Sequence, residues 1–130
     1  MHKLRILVVD DQRAIASTLA MIFESQSYET ATAYSGEEAI QVAGSFHPDC
    51  IVSDVMMGAM NGIEAVIKIL SVLPRCKVLF VSGSAAYCDL LRDARAKGFN
   101  FEVLQKPVPP PELLARISQV LLHPANQAAA

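Results

Sequence analysis

The sequence predicts an α/β fold of the doubly wound kind, in which a mainly parallel sheet has helices on both of its faces. Three observations support this prediction. Short apolar runs of strand length alternate with segments of helical periodicity, the runs are apolar throughout rather than at every second residue, and short polar segments join them. Because strand, helix and following strand form right-handed crossovers, the strands are expected to be parallel.

Five segments are expected to form the strands. Four are short runs rich in Val, Ile, Leu or Phe, and the second in the chain is a weaker candidate rich in threonine. In chain order, the predicted strands cover residues 4–9, 29–33, 50–52, 78–81 and 99–104.

The segments between the strands have the spacing of amphipathic helices. In residues 15–23, apolar side chains recur at i, i+4, i+7 and i+8, which places them on one face of a helix. Residues 63–70 and 113–121 have similar spacing, and the prolines at 109–111 suit a helix start because an N1 proline forfeits no hydrogen bond. A further helix is expected over residues 85–97.

Two of the helix starts carry capping residues. Ser35 is followed by Glu38 and Asn61 by Glu64, so each polar N-cap has a carboxylate three residues later. We therefore expect helices to begin directly after Ser35 and Asn61.

The composition predicts one folded domain. The chain has 130 residues, 52% of them hydrophobic and 18% charged, which is unlike the composition of disordered chains. The predicted domain covers residues 1–123, and residues 124–130, which are rich in Ala and contain a Pro and an Asn, are expected to form a flexible tail. Whether the domain stands alone or belongs to a longer protein is left open.

Charge and cysteine content argue against several functional classes. The net charge is −2 and no basic run is present, so direct binding of nucleic acid is not expected. No apolar run approaches the ~18 residues of a membrane span.

The cysteines indicate a reducing environment. Cys50, Cys76 and Cys88 lack C-x-x-C spacing, and no signal-peptide pattern is present at the N-terminus. We therefore predict a cytoplasmic location, with the three cysteines buried as packing residues.

Polar residues follow four of the five predicted strands. Asp10 and Asp11 follow the first, Asp54 the third, Ser82 the fourth and Lys106 the fifth. Each alone fits an ordinary role as a helix cap, turn residue, loop hydroxyl or solvated cation. Together they should meet at the carboxyl edge of the sheet, where open α/β sheets bind ligands.

Three carboxylates at one edge would repel each other strongly, because two unit charges ~4 Å apart cost about 4 kcal/mol at an effective dielectric constant of about 20. A cation is therefore expected between them. Oxygen ligands suit Mg²⁺, whereas zinc would favour histidine or thiolate ligands. His2, His47 and His123 are interpreted as surface residues.

The order and spacing of these residues resemble the receiver domain of two-component response regulators, the CheY-like superfamily, from residue 3 to about residue 122. The motifs that carry the resemblance are LRILVVDD at 4–11, SGEEA at 35–39, DCIVSDVMMGAMNG at 49–62, LFVSG at 79–83 and QKP at 105–107. The resemblance implies a flavodoxin-like, CheY-like three-layer sandwich of five βα units with a parallel sheet in the order 2-1-3-4-5.

The resemblance also implies how the acidic residues act. Asp54 would be the phosphoacceptor and a Mg²⁺ ligand. Asp11 would bind Mg²⁺ directly, Asp10 through water and Met56 through its main-chain carbonyl. The protein would be a signalling switch that assists its own phosphorylation rather than a turnover enzyme.

Lys106 and Ser82 complete the implied catalytic set. Lys106 would pair with the phosphoryl oxygens, and Ser82 would hydrogen-bond to them and move when they arrive, with Gly83 leaving room beside it. The donor would be a phosphohistidine on a sensor histidine kinase or phosphotransfer protein. The expected partners also include a downstream effector, bound on the face of the fourth helix and last strand, and a second copy in a homodimer.

The sequence departs from the family pattern at three positions. Receivers usually have proline and an acidic residue where this chain has Gly58 and Asn61, which predicts a more flexible loop after the acceptor. Val103 stands where the usual switch aromatic lies. Phe99 and Phe101 are nearby, but strand alternation favours core positions for them rather than a substituted switch.

Four other functions compete with this interpretation. A pseudo-receiver that only binds a partner is the main alternative, although the presence of the full site argues against it. An aspartyl phosphohydrolase would need a second carboxylate where Met56 stands. Flavin binding is disfavoured because Asp10 and Asp11 would repel the flavin phosphate, and an NTPase would need a Walker A motif.

Overall fold

A computed structural model describes residues 3–84 and 86–122, and within them five strands alternate with five helices. The strands are all parallel and lie in the order β2-β1-β3-β4-β5, so the predicted fold class and strand order are confirmed. The predicted tail at 124–130, His2 and His123 lie outside the described residues. In chain order the elements are β1 (Arg5–Val9), α1 (Arg13–Glu24), β2 (Glu29–Ala33), α2 (Gly36–Phe46), β3 (Cys50–Ser53), α3 (Gly62–Val72), β4 (Lys77–Ser82), α4 (Cys88–Ala96), β5 (Val103–Gln105) and α5 (Pro110–Leu122).

The sheet separates two apolar clusters. Leu7 and Val9 of β1 belong to the cluster under α2, α3 and α4, whereas Ile6 and Val8 belong to the cluster under α1 and α5. Successive side chains of a strand point to opposite faces, so a central strand with helices on both faces must be apolar at every position. This explains the continuous apolar runs in the sequence.

Both predicted caps are present. The Ser35 hydroxyl accepts a hydrogen bond from the Glu38 N–H at 3.0 Å, and the Glu38 carboxylate accepts one from the Tyr34 N–H at 2.6 Å. Asn61 and Glu64 form a full capping box at the start of α3. These bonds satisfy N–H groups that have no partner within a helix, so they fix where α2 and α3 begin.

The last strand is shorter than predicted. β5 covers only Val103–Gln105, which pair with Phe80–Ser82 of β4. Phe99 and Phe101 precede it: the Phe101 ring is buried 5.2 Å from that of Phe80, and the Phe99 ring stacks on Phe101 at 5.5 Å. The two rings pack on the core before β5 begins, where the main chain pairs with the sheet only at single points: Phe99 forms an isolated bridge, and the Glu102 carbonyl accepts a hydrogen bond from the Phe80 N–H at 3.0 Å. α4 is also shorter than the predicted helix over 85–97.

The prediction that all three cysteines are buried is wrong for one of them. Cys50 and Cys76 are buried, and burial raises the pKa of both thiols, that of Cys76 to about 12. Cys88 is exposed in the first turn of α4, a largely polar helix whose only buried residue is Ala94. His47 is exposed, as predicted, at the end of α2. None of the helices in the described part of the chain has the length and apolar character to span a membrane.

Candidate functional site

The structure brings Asp10, Asp11 and Asp54 together at the carboxyl edge of the sheet. β1 and β3 are neighbours, and the Asp54 N–H donates to the Val9 carbonyl at 2.9 Å, which extends the pairing of the two strands to Asp54. One carboxylate oxygen from each of the three aspartates lies within 4.8 Å of the others. These oxygen atoms form a donor set that suits a hard divalent cation such as Mg²⁺.

The three carboxylates differ in exposure. Asp10 is buried, with 1% of its surface exposed, and its Oδ1 accepts a hydrogen bond from the Gln12 N–H at 2.9 Å. Asp54 is half-buried and Asp11 is exposed. The site is therefore open on the side of Asp11, where a hydrated cation can enter, and closed on the side of Asp10.

Lys106 reaches into this cluster from the loop after β5. Its Nζ donates to Asp10 Oδ2 at 2.9 Å and to Asp54 Oδ2 at 3.4 Å, while its N–H donates to the Ser82 carbonyl at 2.8 Å. Burial alone would lower the pKa of Lys106, but the hydrogen bond and charge of Asp10, followed by the charge of Asp54, outweigh burial and raise it. The ammonium group therefore stays protonated and lies closer to Asp10 than to the predicted acceptor.

The pKa of Asp54 is raised above its ordinary value. Burial is the largest cause, the positive charge of Lys106 opposes it, and the negative charge of Asp10 adds to it. Removal of the Asp54 carboxylate from water therefore raises its pKa more than repulsion by Asp10 does. A bound cation would favour the ionised form that a nucleophile requires.

Asp54→Asn is expected to make the metal-free protein more stable at neutral pH. Because the folded state holds the Asp54 proton more tightly than the unfolded state, the ionised carboxylate costs stability as pH rises from about 4 through the raised pKa. The amide carries no such cost, so the difference should vanish below about pH 4. Urea unfolding with chelator at neutral and acidic pH measures it. A less stable variant at neutral pH would mean that the ion pair with Lys106 outweighs burial.

The Ser82 hydroxyl is fully buried and bonded within its own loop. It donates to the Ser84 carbonyl at 2.9 Å and accepts from the Ser84 N–H at 3.3 Å. A Cβ atom built at Gly83 would lie 3.8 Å from Lys106 Cδ, which is an ordinary contact distance. Gly83, next to Ser82, therefore also lies beside the aliphatic part of the Lys106 side chain. Ser82 would have to exchange its bonds to Ser84 in order to contact a ligand at Asp54.

The loop after β3 brings main-chain groups to the acidic cluster. The Met56 N–H donates to Asp54 Oδ1 at 3.3 Å, and the Met56 side chain is 44% exposed beside it. Asn61, one of the two departures in this loop, is used as the N-cap of α3. Val103, in place of the usual aromatic, is a half-buried residue that packs against the core.

Gly62 is a site residue that the sequence did not reveal. A Cβ atom at this position would lie 2.0 Å from the Asp54 carbonyl oxygen and 2.9 Å from Ser53 Oγ. The Gly62 N–H also donates to the Val55 carbonyl at 2.7 Å. The first turn of α3 therefore lies directly against the main chain of Asp54, which only glycine permits. The sequence shows only a glycine at a helix start. It does not indicate this contact, because the contact is between the first residue of α3 and the main chain that follows β3.

A five-stranded doubly wound sheet with an acidic cluster and a lysine at its carboxyl edge is the arrangement that the resemblance to receiver domains implies. Residues 6–118 match the family described as response regulator receiver domain. The chain belongs to this family, and the predicted resemblance is confirmed.

Relatives and solved structures agree with this assignment. The response regulator MprA of Mycobacterium avium is 31% identical over 118 residues, which cover 91% of this chain and 51% of MprA. The chain thus spans about half the length of the curated relatives it matches.

Two solved structures have the same fold. The CheY-like receiver domain from Methanospirillum hungatei is 28% identical with a TM-score of 0.82, covering 92% of this chain and 94% of its own. A chain in the CheX–CheY–BeF3–Mg²⁺ complex from Borrelia burgdorferi is 26% identical with a TM-score of 0.79, covering 92% and 90%.

Proposed function

We propose that this receiver accepts a phosphoryl group onto Asp54 from a phosphohistidine of a sensor histidine kinase or phosphotransfer protein, in a reaction that requires Mg²⁺. The observation that carries this proposal is the position of Lys106, whose ammonium contacts both Asp10 and Asp54 within a cluster of three carboxylates. A lone acidic cluster would only bind a cation. A cluster with a lysine beside one carboxylate can also hold a phosphoryl group.

Four residues would hold the cation. Asp11 and Asp54 would bind it through carboxylate oxygens, Asp10 through water, and Met56 through its main-chain carbonyl. Asp11 is the exposed member and Asp10 the buried one, so exchange with solvent would proceed on the Asp11 side. Mg²⁺ supplies neutralisation of the negative charge on the phosphoryl oxygens.

Asp54 acts as the nucleophile. One carboxylate oxygen forms a bond to phosphorus as the bond from phosphorus to the imidazole nitrogen breaks, and the histidine leaves with its electron pair and takes up a proton from solvent. Phosphoryl transfer asks little covalent work of the protein, so position and charge supply the catalysis. The Lys106 ammonium, already hydrogen-bonded to Asp54, offers a positive charge to the oxygens of the arriving group.

Ser82 acts as a ligand of the product. Its hydroxyl would leave Ser84 and donate to a phosphoryl oxygen, which releases the loop that precedes α4. The usual aromatic is replaced by Val103, so the change would pass to the output face through this loop rather than through rotation of a ring. A downstream effector protein is expected to bind the changed surface. The kinase and this receiver would signal in the cytoplasm.

Intact-mass analysis after incubation with acetyl phosphate and Mg²⁺ tests the proposal. We expect one phosphoryl adduct on the native chain, none when chelator is present, and none on Asp54→Asn. The adduct should be long-lived compared with a turnover intermediate, because Met56 stands where a phosphohydrolase has its second carboxylate.

The controls separate the alternatives. Circular dichroism of Asp54→Asn shows whether a missing adduct reflects loss of the acceptor or loss of the fold. An adduct that still forms on Asp54→Asn would show that another residue accepts the phosphoryl group. If the native chain stays unmodified while another receiver is modified in the same tube, the domain is a pseudo-receiver that only binds a partner.

A further inference from the structure

A groove between α3 and α4 lies outside the phosphoacceptor site. Its volume is about 380 Å³. Ile63 and Ala94 at its base are buried, and Ile67 and Leu90 are half-buried, so the floor is apolar. α4 is the most polar helix of the fold and buries only one residue, Ala94, so it contributes few buried contacts on this side of the groove.

Charged residues line the groove in the same order on both helices. Glu64 is followed by Lys68 on α3, and Asp93 is followed by Lys97 at the end of α4. Both helices follow parallel strands and so run in the same direction. The acidic residues thus lie toward the end of the groove nearer the acceptor, and the lysines lie about 6 Å further along each helix.

These four charged side chains are available to a partner. All four are exposed, and none is in an ion pair with another residue of the described parts of the chain. The Glu64 carboxylate accepts the capping hydrogen bond from the Asn61 N–H at 3.1 Å, but this bond leaves its negative charge without a cationic partner among those residues. Pairs at i, i+4 on a helix surface contribute only about 0.2–0.5 kcal/mol, so little is lost when such charges face another molecule instead. The groove thus has an apolar floor, one acidic end and one basic end.

We propose that this α3–α4 face binds the same face of a second copy of the chain, in a two-fold symmetric dimer. A two-fold axis perpendicular to the groove makes the helices of the copies antiparallel, so the acidic end of one groove lies over the basic end of the other. Glu64 and Asp93 then face Lys68 and Lys97 of the other copy, and the apolar floors face each other. The surface is self-complementary in charge.

The charge pattern favours a second copy over other occupants. A nucleic acid or an acidic peptide carries one sign of charge and would be attracted at one end of the groove and repelled at the other. The dimer needs no change at Asp54, so it should form in Asp54→Asn as well as in the native chain. It therefore stands or fails independently of phosphoryl transfer.

Two charge variants test the proposal. Glu64→Gln with Asp93→Lys makes the groove basic, and glutamine at position 64 can still cap α3. Lys68→Glu with Lys97→Glu makes it acidic. Each variant alone repels itself, whereas a mixture of the two restores attraction between unlike copies. Lys3→Glu with Arg75→Glu changes the net charge as much as the acidic variant, but at two exposed residues that do not line the groove.

Sedimentation equilibrium over a range of concentrations gives the result. We expect the native chain, Asp54→Asn and the control variant to dimerise, each charge variant to dimerise at least about tenfold more weakly, and the mixture to recover dimerisation. Far-UV circular dichroism checks that each variant is folded. A native chain that stays monomeric at all concentrations, or a dimer that neither charge variant weakens, would overturn the proposal.

Discussion

Gly62→Ala is expected to lower the free energy of unfolding by about 3 kcal/mol or more. The new methyl carbon would lie 2.0 Å from the Asp54 carbonyl oxygen, and this atom belongs to the main chain, so it cannot rotate away. α3 would have to move, which would disturb the Gly62 hydrogen bond to Val55 and the Asn61 cap. Urea denaturation at neutral pH measures the change.

The chain offers a matched control for this substitution. Gly44 lies in α2, and a Cβ atom built on it meets nothing within 4 Å. Gly44→Ala should therefore stabilise the protein by about 0.5–1 kcal/mol, because alanine loses less conformational entropy than glycine in a helix. The same chemical change thus has opposite signs at the two positions. Equal effects at both would show that α3 does not press on the acceptor strand.

Gly62→Ala should also slow phosphorylation in the molecules that remain folded. The carbonyl it displaces belongs to Asp54, so the carboxylate moves relative to Lys106, whose Nζ is 3.4 Å away. A misplacement of about 1 Å can cost about 100-fold in rate. Adduct formation with acetyl phosphate, measured at a temperature where the variant is folded, separates this effect from loss of stability.

Features that depend on a short stretch of chain could be predicted from the sequence. The apolar runs located β1, β3 and β4 to within one or two residues, because a strand buried on both faces has no polar position. The caps at Ser35 and Asn61 gave the starts of α2 and α3, because a capping side chain acts within four residues. The site residues could be found because each lies at or just after the carboxyl end of a strand.

Features that depend on contacts between elements could not be predicted. The alternation at Phe99 and Phe101 predicts strand residues, but it does not show where pairing is interrupted: the main chain bridges at Phe99 and pairs continuously only from Val103. The residue type predicts that Cys88 is buried, whereas its exposure depends on how α4 packs on the domain. The close approach of Gly62 to Asp54 depends on where the β3–α3 loop returns, which no local pattern records.

Lys106→Met should separate cation binding from phosphoryl transfer. In the native chain the ammonium is hydrogen-bonded to Asp10 and Asp54, so it competes with Mg²⁺ for the same carboxylates. Methionine keeps much of the volume but removes the charge, which leaves the acidic cluster more negative. Mg²⁺ should therefore bind more tightly to the variant. Calorimetric titration measures this binding, and Lys3→Met, which removes an exposed lysine, is the control.

Adduct formation should change in the opposite direction. Lys106→Met removes the ammonium group that contacts Asp54 and would meet the oxygens of the arriving phosphoryl group, so the rate should fall about 100-fold or more even at saturating Mg²⁺. A purely structural role of the lysine would weaken both metal binding and phosphorylation, because a distorted cluster holds neither ligand well. Tighter Mg²⁺ binding together with slower phosphorylation therefore identifies Lys106 as a group that acts on the phosphoryl oxygens. If the rate is unchanged when Mg²⁺ is saturating, the lysine only balances the charge of Asp10.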